Sequence, residues 1–369
     1  MTALGLPRIP PMTSRLPPLR WFGAADVTAA MPSIEERLRL AEVTMTALAR
    51  PGMAQLPPKI AIHPRPDASF VHAMPAHLRG ASPTDDLVGM KWVAGYATNT
   101  AVGLPGIHAV VVLNDPETGV PVAMLDGGPI TAQRTAAVSG LAIRRWGPTA
   151  HGRGAATSGA VAGGSVAAGA EPAGADGELH VALIGAGVQG HSHVPVLGHV
   201  LPGHHLHLVD RDRGRAEALA AVARTTPGVR AVNVHDAARE AVDGADVVVS
   251  AASFGPPSER QSMTNAWLRP DATVVPIDYA TYCAAEVARE AALFLVDQRE
   301  QYLANRDAGQ FDGYPDPAAT IGEAILAGTT RPAGRVVITH LGVGLADLVF
   351  ADAIVRAAEA RGLGTELAR

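Results

Sequence analysis

Hydrophobic and polar positions follow two different rhythms along the chain. Up to residue 146 the apolar positions come mainly as short alternating runs: KIAIHP, SFVHAMPAHL, LVGMKWVAGY, IHAVVVLND and VPVAMLDG. Alternation with period two is the pattern of a strand with one covered face. The NDPETG between the last two runs is turn chemistry and predicts a hairpin. Ahead of these runs, PSIEERLRLAEVTMTALA has helical spacing and opens with Ser33 and Glu36 at capping-box separation. After them comes GGPITAQRTAAVSGLA, an Ala-rich helix with Thr131 as the predicted N-cap. A helix with a mostly antiparallel sheet, an α+β unit, is expected for this half.

From residue 179 the rhythm changes. HVALIGAG, HLHLVD, VRAVNVH, DVVVSAAS, ATVVPID and LFLVD are continuous apolar runs separated by helical or turn segments such as GRAEALAAVART. That alternation predicts a Rossmann-type doubly wound parallel α/β sheet. The chain closes on LADLVFADAIVRAAEARGLG, read as one long helix ended by Gly362 or Gly364. Between the halves, residues 147–178 carry almost no bulky side chains and no periodicity. Such a stretch cannot bury enough surface to fold by itself, and it reads as a flexible linker or surface insertion.

Composition narrows the picture. The 369 residues are 47% hydrophobic and 18% charged, which fits two ordinary globular domains. A formal net charge of −5 argues against a nucleic-acid or anionic-membrane partner. Cys283 is the only cysteine, so there is neither an intrachain disulfide nor a cysteine metal site. No twenty-residue apolar span and no signal-peptide pattern is visible, and the Pro-rich first twenty residues read as loose. A soluble cytoplasmic protein is expected.

The strongest chemical signal is VALIGAGVQGHSH, which places Gly185, Gly187 and Gly190 as GxGxxG between a strand and a helix. The first glycine permits the tight turn, the second admits a pyrophosphate to the backbone, and the third lets helix and strand pack closely. Asp210, at the end of the second strand, favours NAD by offering its carboxylate to the ribose hydroxyls. Arg211 follows directly and would suit the 2′-phosphate of NADP, unless it belongs with Arg213 and Arg215 to a solvated turn.

A nicotinamide enzyme needs a substrate anchor and a proton donor from its protein. Arg134 falls in the predicted first turn of its helix, the electropositive end, where a cation is disfavoured. There its guanidinium, the free backbone N–H groups and the Thr135 hydroxyl would together attract an anion, although surface tolerance explains a lone arginine better. Lys91 sits inside an apolar strand, where a lysine is costly unless paired, used, or on an edge or solvent face. Lys59, at a strand start, reads the same way. Asp278 ends an apolar strand, and the carboxyl ends of parallel strands face the ligand crevice. His63, His72 and His77 match no metal spacing and read as structural or pocket-lining, so no metal site is expected.

Several stretches together resemble the ornithine cyclodeaminase/mu-crystallin family: PPK, HAMPA, GMKWVAGYATN, GLPGIHAVVVLNDPETGVPVAMLDGGPITAQRTAA, GAGVQGHSH and LGVGLADLVFADAI, in family order. The resemblance runs from about Leu56 to Gly364, apart from the insertion. It implies a homodimer with a substrate-binding and dimerisation domain over 1–146, completed by the terminal helix 345–369, and an NAD(P)-binding domain over 179–344. It further implies that Arg134 and Lys59 bind a substrate carboxylate, with Met74 beside the substrate. Lys91 would be the active-site lysine and Asp278 the acid/base residue. Thr135 and the loop Gly185, Gly187, Val188, Gln189 and Gly190 would meet the cofactor phosphates. Asp210, Arg211, Ala251, Ser253 and Val343 complete the expected cofactor contacts, Val343 near the nicotinamide. Two positions depart from the pattern. Tyr282 stands where ornithine cyclodeaminases have a lysine four residues past the acid, and Lys59 replaces an arginine, which is not an equivalent cation.

The expected function is therefore NAD(P)H-dependent reduction of a small 2-imino acid, or the reverse oxidation of a 2-amino acid. A cyclodeaminase that closes a diamino acid into a ring with loss of ammonia is the alternative. A mu-crystallin-like ligand-binding protein is a third reading.

Overall fold

In a computed structural model, residues 16–65, 69–148, 177–253 and 257–369 are described. Most of the expected insertion, 149–176, lies outside them. The first half opens with β1 (Leu19–Phe22), α1 (Ala24–Ala29) and α2 (Ile34–Ala49), then β2 (Ala54–Gln55) and β3 (Ile60–Ile62). The alternating runs follow as β4 (Ser69–Leu78), β5 (Leu87–Tyr96), β6 (Ile107–Asn114) and β7 (Pro121–Asp126), and α3 (Gly127–Trp146) ends the half. The expected β6–β7 hairpin forms. In α2 half of the expected capping box is present: Ser33 Oγ accepts from the Glu36 amide at 3.3 Å, while the Glu36 carboxylate turns to Arg39.

The second half alternates β8 (His180–Ile184), α4 (Val188–Val200), β9 (His204–Val209), α5 (Arg213–Ala223), β10 (Val229–Val234), α6 (Ala238–Val242), β11 (Val247–Ser250) and β12 (Thr273–Pro276). It continues through α7 (Ala285–Arg289), β13 (Leu293–Val296), α8 (Arg299–Asp307), β14 (Ala319–Thr320), α9 (Ile321–Leu326) and β15 (Val336–Thr339). Its eight strands are all parallel, in the order β10-β9-β8-β11-β12-β15-β13-β14. β8, β11, β12, β13 and β15 are buried along their whole lengths, which is why they read as unbroken apolar runs. The order reverses between β8 and β11, and ligands of open α/β sheets bind at such a switch point.

The chain then returns to its first sheet. α10 (Gly344–Glu359) packs across β4, β5 and β6, and β16 (Thr365–Leu367) pairs antiparallel with β1. The expected helix to the C-terminus is thus corrected: it stops at Glu359, and the last residues form an edge strand. Gly362, at φ +66°, supplies the left-handed turn, and the Leu363 N–H bonds back to the Ala358 carbonyl at 2.9 Å. Of the Pro-rich start, residues 1–15 lie outside the described residues; β1 lies parallel to β7 and, with β16, completes the sheet β16-β1-β7-β6-β5-β4-β2, with β3 beside β4.

This mixed sheet has two apolar faces. On the inner face, cross-strand neighbours Phe22, Leu125, Val111, Lys91 and Met74 form one buried row beneath α10 and α3. On the outer face run Ile60, Ala73, Trp92 and Val110, and beside them Pro75, Met90, Val112, Met124 and Trp21. Trp92 is 47% and Ile60 65% exposed there. Among the described residues no helix is long and apolar enough to cross a membrane.

The two halves are held by close helix contacts, α3 against α4 and α2 against α9. A Cβ on Gly322, in the first turn of α9, would overlap the Met45 carbonyl oxygen of α2. Backbone cannot yield as a side chain can, so Gly322→Ala is expected to destabilise by about 1–3 kcal/mol, read as a lowered Tm in a thermal melt.

Candidate active site

The C-terminal ends of the parallel strands face the inner row of the mixed sheet, and the expected cations gather there. Lys91 occupies the middle of β5 on the covered face and is 1% exposed, which excludes an edge or solvent-face role. A buried ammonium needs a partner. Asp347, one turn into α10 and fully buried, supplies it: its Oδ2 lies 2.6 Å from Lys91 Nζ, and its Oδ1 accepts from Arg134 Nε at 3.2 Å. Nothing in the sequence singled out Asp347. It falls in an apolar helical run, and only the return of α10 onto β5 shows what it faces.

Arg134 corrects an expectation. The helix starts at Gly127 rather than at Thr131, because the Asp126 carboxylate accepts the Gly128 N–H at 2.8 Å and caps it. Arg134 therefore lies two turns inside α3, away from the free amides, and its charge is offset by Asp347 rather than by a helix-end anion. Its terminal nitrogens, which rest against Gly342, donate to no group among the described residues. Thr135 follows it, 7% exposed, with its hydroxyl proton given to the Thr131 carbonyl at 2.8 Å.

Lys59 reaches inward from an exposed strand start, donating to the Leu341 carbonyl at 2.9 Å and to the Tyr279 hydroxyl at 3.2 Å. Tyr279 and Ala280 both take left-handed backbone conformations, at φ +53° and +57°, which is strained for non-glycine residues. The strain places Tyr279 against Lys59. Leu341, Gly342 and Val343 form the loop between β15 and α10, and Asp297 and Gln301 hold it: Asp297 Oδ2 accepts the Gly342 N–H at 2.7 Å and Gln301 donates to the Gly342 carbonyl at 3.2 Å. Val343 is 1% exposed, and a Cβ on Gly344 would press against the Met74 backbone, so Met74 fixes where α10 begins.

Burial and proximity set the protonation states. Burial pushes the Lys91 ammonium down to about 7, with Arg134 and Lys59 acting the same way and Asp347 pulling back. Lys59 is lowered to about 8, again chiefly by burial. Burial opposes the charged form of Asp347, yet Arg134 and Lys91 outweigh it and hold the carboxyl below its usual value. Asp278, two residues past β12, is 3% exposed and is pushed up to about 7 by burial. Its surroundings are the Ser250 hydroxyl and the amides of Ala252, Thr281 and Tyr282. No hydrogen bond or ion pair among the described residues joins it to the Lys91–Asp347–Arg134 cluster.

The glycine loop fits a dinucleotide. Gly185 has φ +106°, and a Cβ there would sit 2.5 Å from the Ala251 carbonyl oxygen. A Cβ on Gly190 would overlap the Gly185 carbonyl, so this glycine lets α4 close on β8. Gly187 alone faces open space, and Val188 after it is 67% exposed, as backbone that receives a pyrophosphate must be. Asp210 spends its carboxylate on the loop, accepting from the Ala186 N–H at 2.7 Å and the Asp212 N–H at 2.9 Å. Arg213 and Arg215 pair with Asp236 and Asp212, while Arg211 is exposed and makes no ion pair among the described residues. Ala251 is half-buried and Ser253 exposed at the end of β11.

A hydrogen-bonded chain that sequence reading missed joins α4 at this loop to α3 and to the segment just past β15. His193 Nδ1 lies 2.7 Å from the Gln189 carbonyl, His193 Nε2 lies 2.8 Å from Ser139 Oγ, and that oxygen lies 2.9 Å from His340 Nε2. The carbonyl only accepts, so His193 is protonated on Nδ1, Ser139 donates to its Nε2, and His340 donates from Nε2 to Ser139. Burial lowers His193 to about 4 and, with Arg134 nearby, holds His340 well below the usual range, so both rings are neutral.

The sequence signature of the ornithine cyclodeaminase/mu-crystallin family matches residues 25–149 and 150–359. The chain belongs to this family. A nodulation efficiency protein of Rhizobium meliloti is 32% identical over 354 residues, covering 94% of this chain and 98% of that protein. The ketimine reductase mu-crystallin of Mus musculus is 26% identical over 292 residues, 77% of this chain and 79% of that protein. Among solved structures, a Thermococcus litoralis Δ1-pyrroline-2-carboxylate reductase in complex with NADH and L-proline superposes with a TM-score of 0.74 at 21% identity, covering 94% of this chain and all of that one. The α/β fold of the family thus extends over the whole described chain.

Removing the Ser139 hydroxyl strands His193 Nε2 and the His340 N–H in the interior. Ser139→Ala is therefore expected to destabilise by about 1–3 kcal/mol, read in denaturant unfolding, and a variant as stable as the parent would show that these hydrogen bonds contribute nothing.

Proposed function

We propose that the protein is an NAD(P)H-dependent imine reductase or amino-acid dehydrogenase acting on a small 2-imino or 2-amino acid. The observation that carries this reading is Arg134: a buried guanidinium fixed through Nε by Asp347, with its terminal nitrogens uncommitted and the Lys59 and Lys91 ammoniums close by. Such an arrangement binds a carboxylate. The names of the similar proteins, a ketimine reductase and a pyrroline-2-carboxylate reductase, agree with it. Gly185, Gly187, Val188, Gln189 and Gly190 would hold the pyrophosphate, Asp210 or Arg211 the adenosine ribose and any 2′-phosphate, and Ala251, Ser253 and Val343 the remainder. Asp210 favours NAD and the unpaired Arg211 leaves NADP open. When bound, the nicotinamide supplies or receives the hydride.

The chain's own residues do the rest. Arg134 and Lys59 hold the carboxylate and so fix the α carbon, which lowers the entropic part of the barrier. Met74 and the Gly342–Val343–Gly344 loop form apolar walls that keep water out. Asp278 exchanges the proton: a carboxyl at about 7 is near the optimum for a general acid working close to neutrality. Tyr282, where cyclodeaminases carry a lysine, favours this reading over ring closure.

The outer face of the mixed sheet, with its two apolar rows, fits a second copy of the chain as a homodimer. Sedimentation of the wild type as a dimer and of Trp92→Glu as a monomer is expected.

The deciding assay supplies NADH or NADPH with pyruvate or glyoxylate plus ammonia or methylamine. Steady cofactor oxidation is expected, and Arg134→Ala should lower kcat/KM by roughly 10²-fold or more with the fold intact. Ammonia release from ornithine, lysine or diaminobutyrate without net cofactor change would establish the cyclodeaminase instead. The pH dependence has a defined sign. Reduction needs Asp278 protonated and gains from charged Lys91, so kcat/KM should fall as pH rises through about 7, whereas oxidation of the amino acid should rise as Asp278 ionises.

A further inference from the structure

Lys59 and Lys91 are the only lysines in the chain, and they lie close enough for Lys59 to act on Lys91. They are held in different ways. Lys91 is tied to Asp347 at 2.6 Å, whereas no carboxylate among the described residues lies within ion-pair distance of Lys59. The Lys59 nitrogen has two partners, and both accept from it. They are the Leu341 carbonyl at 2.9 Å and the Tyr279 oxygen at 3.2 Å, whose own proton goes to the same carbonyl at 2.9 Å. An ammonium carries three protons and a neutral amine two. Losing the third proton therefore keeps both hydrogen bonds and leaves a lone pair in its place. Burial lowers this group to about 8, so the neutral amine is populated near neutrality. The arginine that Lys59 replaces could not do this, because a guanidinium stays protonated.

Resting on the imino-acid reading above, we infer that Lys59 is a nucleophile that binds 2-oxo acids covalently, as an imine between its side-chain nitrogen and their carbonyl carbon. The carboxylate stays on the free end of Arg134, and Lys59, which shares it when charged, attacks when neutral. The nitrogen adds to the carbonyl carbon, and both amine hydrogens then leave with the carbonyl oxygen as water. The Tyr279 hydroxyl, 3.2 Å from this nitrogen, is placed to turn from Leu341 and donate to the imine once those hydrogens have gone. An incoming amine adds to the same carbon, its two hydrogens pass to the lysine nitrogen, and the bond from that carbon to Lys59 breaks. The product is the 2-imino acid that the hydride step takes, and Lys59 is a free amine again. No electrons are gained or lost in this exchange. A lysine desolvated in this way splits one slow condensation into two easier steps.

The test is chemical trapping on the full chain without nicotinamide, so that no enzymatic reduction competes. Pyruvate with sodium cyanoborohydride is expected to add one carboxyethyl group per chain, located on Lys59 by peptide mass spectrometry. With two lysines in the sequence, the map has few sites to distinguish. Labelling should rise with pH through about 8, as the ammonium gives up its proton. Pyruvate should label roughly tenfold or more faster than its methyl ester, because only the acid is held by Arg134. Lys59→Arg keeps the charge and should be unlabelled. Should that variant not fold, the wild-type map and the ratio of acid to ester still decide. No adduct, an adduct confined to Lys91 or the N-terminal amine, or labelling by the ester as fast as by the acid overturns the inference. A Lys59 adduct without NADH- or NADPH-dependent imine reduction would count against the proposed reaction and not against the nucleophile. Reduction without an adduct would do the reverse.

Discussion

A lysine in a buried row with four apolar neighbours, inside a sheet and under a helix, is the constraint around which this molecule is arranged. Lys91 can stay there only because Asp347 meets it, and Asp347 comes from the far end of the chain. Taking either charge out of water alone costs several kcal/mol, which the pair recovers only in good geometry with further partners. Arg134 is that further partner. The three charges therefore tie β5, α3 and α10 together, and they do so where the mixed sheet meets the carboxyl ends of the parallel strands. The same contact that makes the buried lysine tolerable leaves the terminal nitrogens of Arg134 against Gly342.

The loop that opens α10 shows how the two halves share the site. Its backbone is held by Asp297 and Gln301 of the parallel-sheet domain, while Gly342 receives the Arg134 guanidinium and Gly344 receives Met74 from the mixed-sheet domain. Glycine is needed at Gly342 twice over: φ is +79°, and any Cβ would displace the guanidinium. Behind this loop, Ser139 of α3 joins His193 of α4 to His340, the residue after β15, so the helix that carries Arg134 is also hydrogen-bonded to the helix that opens at the glycine loop. The helix of Arg134 and the helix of the glycine loop are thus parts of one hydrogen-bonded frame.

Much of this was legible in local pattern. The runs in β4 and β5 predict strands with the observed bounds, because alternation is a local consequence of one covered face. GxGxxG could be read because each glycine answers a requirement of its immediate backbone. Lys91 could be suspected because an apolar strand makes a lysine conspicuous. What was misread depended on competition between neighbours. Thr131 is a good N-cap in isolation, but Asp126 caps the same helix earlier and the Pro129 in its first turn needs no amide partner. The apparent conflict between Arg134 and the helix dipole disappears with that shift.

The sequence by itself determined the α/β fold with its change of rhythm between the halves, the glycine loop and the conspicuous lysine in an apolar strand, because each is written in periodicity or spacing over a few residues. Tertiary structure alone decided which charges meet. Asp347 in an apolar helical run, Ser139 within an Ala-rich helix and His340 at a strand end carry no local signal, since their partners lie 256, 54 and 201 residues away in the chain. The pairing of β16 with β1 belongs to the same class: three residues after a helix have no periodicity to read, and they become a strand only because an edge is waiting for their backbone.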